Sequence, residues 1–232
     1  VEAKRLSYES MAGTFADPDF AEIPIGELLS ENYAKRQFAR IRPDTVIEPN
    51  YLAVPLEGEG DTTYLTVVDG DGMMVSLIQS NYLGMGSGLV PTGLGFMLQD
   101  RGELFSLEDG HPNIYAPGKR PFHTIIPAFL MKGDQPFMSY GLMGGGMQPQ
   151  GHVQVLVNIA DFGMNLQEAG DAARFFHDGG SSPDEGVATD YGTLFLEPGV
   201  PAETVDALRA LGHKVKVDDT AGKFGGYQAI SR

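Results

Sequence analysis

Thr62 is the residue whose type and setting could do chemistry most directly. It lies between an acidic, glycine-rich linker that ends at Asp61 and a run of β-branched residues. A threonine inside a chain is a weak nucleophile, but an N-terminal threonine has its own base in the free α-amine. That chemistry requires a cut between Asp61 and Thr62. On the residues alone, Thr62 is more simply the first residue of a strand, where threonine is common.

Two glycine-rich stretches could point backbone N–H groups at an anion. Gly144 and Gly145 follow a β-rich stretch and precede a helix, a setting in which backbone amides can form an oxyanion hole. A plain flexible loop fits this composition equally well. The alternating glycines of residues 84–88 lack the Lys-Ser/Thr pair of a P-loop and the spacing of a dinucleotide fingerprint. They predict a tight loop and nothing more.

The composition excludes several other kinds of site and partner. The chain has no cysteine, so disulfides, thiolate metal ligands and a cysteine nucleophile are excluded. No two of its five histidines are four residues apart, so we expect no metal and no cofactor. A formal net charge of −15 argues against a nucleic-acid partner. No apolar run reaches the roughly 18 residues of a transmembrane helix, so we expect no membrane partner either.

The elements that must position these residues follow from periodicity and turn residues. We expect residues 1–22 to form a loop with short turns, one of them at Asp17-Pro18-Asp19, and residues 42–61 to form an exposed linker. The remaining expected elements are helices over 24–41 with Ser30 as a cap, a hairpin over 62–82, strands at 124–131 and 136–141, helices at 152–161 and 165–175 with Asn165 as the cap of the second, and a strand, helix and strand over 193–217. This order predicts an α+β or a layered α/β chain.

Five motifs, from about residue 62 to residue 178, resemble the γ-glutamyltranspeptidase family in order and spacing, and a weaker likeness extends to residues 225–228. The motifs are Gly60-Asp61-Thr62-Thr63-Tyr64-Leu65-Thr66-Val67-Val68-Asp69, Ala116-Pro117-Gly118-Lys119-Arg120-Pro121, Gly144-Gly145, Val155-Leu156-Val157-Asn158-Ile159-Ala160-Asp161-Phe162-Gly163-Met164-Asn165 and Asp171-Ala172-Ala173-Arg174-Phe175.

The resemblance implies an N-terminal nucleophile hydrolase with an α+β fold, a four-layer αββα sandwich whose precursor cuts itself before the catalytic threonine. Residues 1–61 then look like the tail of the large subunit, with helices and an acidic glycine linker. Residues 62–232 look like most of the small-subunit catalytic domain, lacking its last strand. We therefore expect a fragment with an incomplete sandwich. The remainder of the large subunit is then a partner, and any targeting signal lies in the missing N-terminal part.

The resemblance also implies roles for four residues. Thr62 matches the family's nucleophile. Ser80 matches a threonine whose hydroxyl supports the nucleophile's amine, and serine keeps that hydroxyl. Gly144 and Gly145 match the backbone pair that forms the oxyanion hole.

The departures from the family concern the substrate pocket. The pair His123-Thr124 stands where the family has two serines for the substrate α-carboxylate, and Leu104 replaces the acid that binds the α-amino group. Tyr82 aligns with an asparagine of the family. We take Tyr82, Arg101, His123 and Thr124 as the candidate substrate-binding residues. Arg101 and His123 are the candidates for a substrate carboxylate, although surface ion pairing would explain both equally well.

The resemblance implies an enzyme that cuts itself at Asp61-Thr62 and then transfers or hydrolyses γ-glutamyl amides such as glutathione. Residues 76–82 look more like the branch that contains cephalosporin acylases, so a glutaryl-β-lactam acylase is the alternative. The second alternative is an uncleaved, inactive fragment. The expected partners are a small-molecule amide and a second copy of the chain in a homo-oligomer, because missing layers expose apolar sheet surface.

Overall fold

The computed structural model describes residues 1–48, 62–181, 191–220 and 222–232, which form helices and three small β-sheets. In chain order the elements are α1 (Glu2–Thr14), α2 (Ile25–Leu28), α3 (Glu31–Phe38), β1 (Thr63–Val68), β2 (Met74–Gln79), a 3₁₀ helix (Arg101–Leu104), β3 (Ala128–Lys132), β4 (Gln135–Met143), α4 (Met147–Ala160), α5 (Leu166–Asp171), β5 (Phe175–Asp178), β6 (Thr193–Leu196), α6 (Ala202–Ala210), β7 (Val215–Val217) and β8 (Gly226–Ser231).

Strands β1 and β2 form the predicted hairpin. The Asp69 carboxylate closes its turn, because one oxygen accepts hydrogen bonds from the backbone N–H groups of Asp71, at 3.0 Å, and Met73, at 2.8 Å. Alternation along β1 places Tyr64 and Thr66 on one face of the hairpin. That face is turned towards a second sheet.

The second sheet is antiparallel, with strand order β3-β4-β8, and it packs face to face against the hairpin. Thr66 Oγ1 donates a hydrogen bond of 2.7 Å to Ser139 Oγ in β4. Two residues further along β4, a Cβ on Gly141 would lie 2.3 to 2.5 Å from ring atoms of Tyr64. Glycine at position 141 is therefore what lets the Tyr64 ring lie directly on the β4 backbone.

Helix α4 covers the opposite face of the second sheet. Leu142 of β4 lies against Gly151, where a Cβ would come within 2.6 Å of a Leu142 methyl carbon. Leu142, Met147, Val155 and Ala169 form a buried apolar cluster there. A capping box begins α5, as predicted at Asn165, whose side chain accepts a hydrogen bond from the Glu168 backbone N–H. The helical layer is thus fixed to the sheet by close apolar packing.

The third sheet, of strand order β5-β6-β7, has its own small core of Leu194, Leu196 and Val205 beneath α6. Segment 1–48 reaches this region through polar contacts. Lys4 Nζ donates to the Gly179 carbonyl at 2.5 Å, and the Val46 N–H donates to the Leu211 carbonyl at 3.1 Å. Segment 1–48 is therefore tied to the later part of the chain by specific hydrogen bonds.

The α+β class is confirmed, and the described residues supply two β layers and one helical layer. No helix of the described ranges packs on the outer face of the hairpin, where four apolar side chains are exposed. These are Leu65, Val67, Val75 and Leu77, with exposures of 42 to 53%. Among the described residues, no helix combines the length and apolar character that a membrane crossing needs.

The expectation of a loop over residues 1–22 is wrong for its first part, because α1 is a helix of 13 residues. It buries only Leu6 and Ala12 as apolar residues, and its charged residues Lys4 and Arg5 make tertiary contacts, so no apolar period marks it. The predicted turn at Asp17 is present, with the Phe20 N–H donating to the Asp17 carbonyl.

Other expectations hold with shifted ends. Ser30 caps α3 by accepting from the Tyr33 N–H at 3.1 Å, and the hairpin, β6, α6 and β7 lie where predicted. The helix predicted over residues 165–175 stops at Asp171. Phe175 instead pairs with Leu196 in a sheet, and the Gln154 side chain binds the Phe175 backbone. The part of the predicted linker after residue 48 lies outside the described residues.

Candidate active site

Thr62 and Ser80 flank the last residue pair of the hairpin. The antiparallel register pairs Thr63 with Gln79, so the next position opposes Thr62 to Ser80. Directly opposed residues of an antiparallel pair have side chains on one face, about 5 Å apart at Cβ. Both residues are half-buried. The two hydroxyl residues matched to the family's nucleophile and its supporting hydroxyl are thus cross-strand neighbours.

The contacts between the two sheets predict where Thr62 lies relative to β4. Thr66 of β1 contacts Ser139 of β4, and Tyr64, two residues earlier in β1, contacts Gly141, two residues later in β4. If this spacing continues for two more residues, Thr62 lies over Met143 at the end of β4. Gly144 and Gly145 follow immediately.

Gly144 and Gly145 form the bend between β4 and α4 and both have positive φ, 124° and 54°. Their carbonyls accept hydrogen bonds from the Met147 and Gln148 N–H groups in the first turn of α4, so the bend belongs to the helix start. Apart from the hydrogen bonds that pair strands, neither the Gly144 N–H nor the Gly145 N–H donates a hydrogen bond to another described residue. These N–H groups remain the predicted donors of an oxyanion hole.

Gly144 has a second constraint besides its backbone angle. A Cβ there would lie 2.7 Å from the Gly225 Cα, so the turn before β8 leaves no room for a side chain. At Gly145 a Cβ would meet no heavy atom within 4 Å. A side chain is therefore excluded at Gly144 by the backbone of Gly225, whereas at Gly145 only the positive φ opposes a side chain.

Arg101 joins three of the other predicted site residues. Its guanidinium donates to the Ser80 carbonyl at 3.0 Å and to Thr124 Oγ1 at 3.3 Å. Its central carbon lies 5.6 Å from the centroid of the Tyr82 ring. Arg101 is only 2% exposed, so its side chain is buried next to the Ser80 backbone. The structure therefore brings Ser80, Tyr82, Arg101 and Thr124 together.

Tyr82 is the one non-glycine residue with positive φ, 87°, among those that the structure describes. Its N–H donates to Ser80 Oγ at 2.8 Å, so the Ser80 hydroxyl turns the chain at the end of β2. A tyrosine in this conformation stores backbone strain of about 1 to 3 kcal/mol. Such strain is typical of functional sites, and here the Tyr82 ring lies beside the Arg101 guanidinium.

His123 is exposed beside this group. Desolvation lowers the pKa of His123 below its usual value of 6.5, and the positive charges of Arg101 and Arg120 lower it further. The imidazole is consequently neutral at neutral pH. It could donate a hydrogen bond to a carboxylate but would contribute no ionic attraction.

The stretch that carries Leu104 is a 3₁₀ helix. Glu103 is exposed and Leu104 is 2% exposed, so the two side chains do lie on different sides. A buried leucine at this position cannot bind an ammonium group.

An open cleft near the two sheets does not coincide with this site. It has a volume of about 740 Å³, lies between β1, β8 and α5, and has walls that include Thr66, Gln167, Arg174 and Gln228. None of the predicted site residues lines it. Among the described residues there is no group of three His, Asp or Glu side chains that could bind a metal ion.

Sequence reasoning did not find the residues that fix this group from behind. Asp100 accepts from the Leu83 N–H at 3.2 Å and donates its own N–H to the Asn81 carbonyl at 3.0 Å, which closes the glycine-rich loop. Asp17 binds Arg120 across more than a hundred residues of chain. The only signal was the motif that contains Arg120, because nothing in the sequence marks Asp17 as buried.

Comparisons with known proteins agree with these features. The γ-glutamyltranspeptidase family model matches residues 1–232. The chain is 37% identical over 220 residues to the glutathione hydrolase-like YwrD proenzyme of Bacillus subtilis (strain 168), covering 94% of this chain and 39% of that protein. It is 34% identical over 219 residues to the oxamate amidohydrolase proenzyme of Klebsiella pneumoniae subsp. pneumoniae, with coverages of 94% and 39%.

Solved structures show the same likeness. A crystal structure of cephalosporin acylase from Bacillus halodurans superposes with a TM-score of 0.83 at 41% identity, over 100% of this chain and 40% of that one. A γ-glutamyltranspeptidase from Pseudomonas nitroreducens, complexed with L-DON, superposes with a TM-score of 0.60 at 26% identity, over 73% of this chain and 89% of that one. The chain spans about 40% of the length of the YwrD proenzyme and of the cephalosporin acylase.

Two packed β-sheets with a helical layer, and a threonine at the start of an inner strand, define the N-terminal nucleophile hydrolase class. The chain belongs to the γ-glutamyltranspeptidase family. The family and fold expectations are thereby confirmed. The roles of individual residues remain predictions.

Proposed function

We propose that this protein cleaves amide bonds by attack of Thr62 Oγ on the amide carbonyl carbon. The observation that supports the proposal is the register of β1 and β2, which sets Thr62 opposite Ser80, and the positive-φ bend at Gly144 and Gly145 follows the neighbouring strand β4. A nucleophile, a supporting hydroxyl and two backbone donors are the minimal parts of such a site. The relatives named above are amide-cleaving enzymes or proenzymes, which supports the same chemistry.

The first reaction of the proposed cycle is self-cleavage. Thr62 Oγ attacks the carbonyl carbon of Asp61, the peptide bond shifts to an ester, and water hydrolyses that ester to free the Thr62 α-amine. Residues 1–61 then become the tail of one subunit and residues 62–232 belong to the other. Asp61 lies outside the described residues. Of the described residues, the proposed step uses Thr62, Ser80 and the glycine bend.

In the second reaction the free α-amine takes the proton from Thr62 Oγ as the oxygen attacks the substrate carbonyl. The N–H groups of Gly144 and Gly145 stabilise the negative oxygen that forms, and loss of one such donor costs about 10²–10³ in rate. The amine then gives its proton to the departing amine of the substrate. An ester between Thr62 and the acyl group remains, and water or a second amine attacks it.

The leading substrates are γ-glutamyl amides such as glutathione. The glutathione hydrolase-like YwrD proenzyme of Bacillus subtilis and a glutathione hydrolase proenzyme of Escherichia coli support this class. Thr124 and the exposed His123 are the proposed contacts of a substrate carboxylate. Arg101 supports them from behind through its bond to Thr124.

A second candidate substrate class is the side-chain acyl amide of a glutaryl-β-lactam. The buried Leu104 favours it, because it cannot bind the α-ammonium group that distinguishes a γ-glutamyl donor from a glutaryl donor. The likeness to the acylase of Bacillus halodurans points in the same direction.

The test is hydrolysis by the complete gene product of matched γ-glutamyl and glutaryl anilides, which differ only in the α-amino group. The proposal expects turnover of at least one anilide and no turnover of either by the Thr62→Ala variant. If γ-glutamyl amides are the substrates, kcat/KM is higher for the γ-glutamyl anilide, which has the α-amino group. If glutaryl amides are the substrates, kcat/KM for the γ-glutamyl anilide is equal to or lower than that for the glutaryl anilide. Turnover of neither anilide contradicts both.

The proposal also includes two protein partners, the remainder of the large subunit and a second copy of the protein. The exposed apolar face of the hairpin fits coverage by the remaining large-subunit sequence, and a second copy of the protein would form a homo-oligomer. An intact Asp61–Thr62 bond would instead leave a folded fragment without a free amine, the inactive alternative.

A further inference from the structure

A buried carboxylate connects segment 1–48 to the stretch that carries two candidate substrate-binding residues. The Asp17 side chain is 1% exposed. Its two oxygens accept hydrogen bonds from Arg120, from the backbone N–H at 2.8 Å, from Nε at 3.1 Å and from Nη2 at 2.6 Å. These bonds hold the pKa of the Asp17 carboxyl well below its usual range. Asp17 is therefore an ionised anchor at neutral pH.

The bond to the Arg120 backbone matters because the next residues have few constraints of their own. Residues 121–127 form neither helix nor strand, so no ladder of hydrogen bonds fixes their position. The Phe122 ring packs against Phe15, with ring centroids 6.4 Å apart. At the far end, the Ile126 N–H donates to the Gln148 side chain at 3.2 Å. The stretch is thus positioned by side chains at both ends, and Asp17 with Phe15 supplies the first.

This stretch leads directly to the candidate site. Thr124 Oγ1 accepts from Arg101, and Arg101 also donates to the Ser80 carbonyl. A movement of the backbone at Arg120 would be transmitted over four residues to Thr124. His123 would move with it.

We propose that Asp17 is a positioning residue for substrate binding, which acts through Arg120 to fix His123 and Thr124. This proposal deepens the proposed function and rests on it. It assigns to segment 1–48, the part before the cut, a role in the pocket formed by the part after it. Asp17 itself contacts no substrate.

The test compares Asp17→Asn with Asp19→Asn in the complete gene product. Asp19 makes a matched control, because among the described residues its carboxylate contacts only the Arg120 side chain, at 2.6 Å, and it is 74% exposed. For Asp17→Asn we expect KM for the anilide that is turned over to rise about fivefold or more, with kcat and the extent of self-cleavage within twofold of the wild type. Asp19→Asn stays within twofold in KM, and Asp17→Glu recovers part of the loss.

Hydrogen exchange of the same variants keeps this proposal separate from the proposed function. The Arg120 amide is bonded to Asp17, so Asp17→Asn should speed exchange in peptides covering residues 120–124 and leave peptides from β5 unchanged. If no anilide is turned over, the proposed function fails and this exchange pattern alone decides the positioning role. Unchanged exchange and unchanged KM overturn the proposal. An equal effect of Asp19→Asn, or a fall in kcat that matches a general loss of stability, also overturns it.

Discussion

At the scale of single residues, the candidate site depends on hydroxyl and backbone groups rather than on charges. Thr62 and Ser80 oppose each other across a hairpin end, and the bend at Gly144 and Gly145 leaves N–H groups free of partners among the described residues outside the strand ladder. The Arg101 cation lies behind Ser80, where it binds a carbonyl. The register of β1 and β2 sets Thr62 opposite Ser80, and their separation in sequence alone would not predict this position.

Ser80 gives the first prediction at this scale. Its hydroxyl accepts from the Tyr82 N–H, and the strand register sets Ser80 opposite Thr62, so Ser80→Ala removes a turn contact and the proposed support of the nucleophile. We expect self-cleavage to slow about tenfold or more, and Ser80→Thr, which keeps the hydroxyl, to cleave at a rate close to the wild type. Gel densitometry of the two fragments over time measures this. Equal rates for Ser80→Ala and Ser80→Thr would contradict the role.

The glycine bend gives a second residue-scale prediction. In Gly144→Ala the new Cβ would lie 2.7 Å from the Gly225 Cα at a φ of 124°, so we expect a loss of about 3 kcal/mol in the free energy of unfolding. In Gly145→Ala only the left-handed conformation opposes the side chain, and about 1 to 2 kcal/mol should be lost. Urea unfolding followed by circular dichroism compares the two. A smaller loss for Gly144→Ala than for Gly145→Ala would contradict this packing.

At the scale of elements, β5 contains a buried histidine that must stay neutral. Burial lowers the pKa of His177 to about 3, and the positive charge of Lys4, whose Nζ lies 3.3 Å from Nδ1, lowers it further. The imidazole Nε2 donates to the Tyr191 carbonyl at 2.7 Å, and the β5 backbone is bound by Gln150. The contact between α1 and β5 thus depends on the protonation state of His177.

This burial predicts a pH dependence of stability. Between about pH 6.5 and pH 3 the unfolded chain binds a proton at His177 and the folded chain does not, so the free energy of unfolding falls as pH falls through this window. In His177→Gln, which keeps a donor for the Tyr191 carbonyl, the slope should be shallower. Urea unfolding at a series of pH values measures it. The same slope in both proteins would show that His177 is not the group responsible.

The elements also show how far the sequence predicts the fold. The hairpin, the Ser30 and Asn165 caps, β6, α6 and β7 follow from local turn and cap chemistry, and the structure confirms them. Helix α1 and strand β5 do not, because Lys4 and Phe175 are placed by partners far away in the sequence. The motif resemblance predicts which residues form the candidate site. It does not predict the strand register or the contact between Asp17 and Arg120, because both join residues that only the folded chain brings together.

At the scale of the whole molecule, the outer face of the hairpin is an exposed apolar surface of the β layers. It is formed by Leu65, Val67, Val75 and Leu77, and no described residue range supplies a helix to cover it. An exposed apolar patch of this kind favours association with other protein surface. The feature agrees with a chain that spans about 40% of the length of the relatives named above.

This surface predicts the behaviour of the 232-residue chain expressed alone. We expect it to self-associate, and the double variant Leu65→Lys, Leu77→Glu to reduce association, because these two residues are direct cross-strand partners and the new charges can pair. Val153→Lys, at a single exposed apolar residue of α4, is the control and should change little. Sedimentation velocity measures the species present. A monomeric parent chain would contradict the prediction.

The proposed function requires a cut between Asp61 and Thr62. Denaturing mass spectrometry with N-terminal sequencing of the purified complete gene product would detect it. We expect two chains, one of which begins at Thr62, and a single uncut chain for Thr62→Ala. Thr63→Ala, at a neighbouring exposed threonine, should still be cut. A wild-type protein that remains one chain, with the Asp61–Thr62 bond intact, would contradict the assignment of Thr62 as an N-terminal nucleophile.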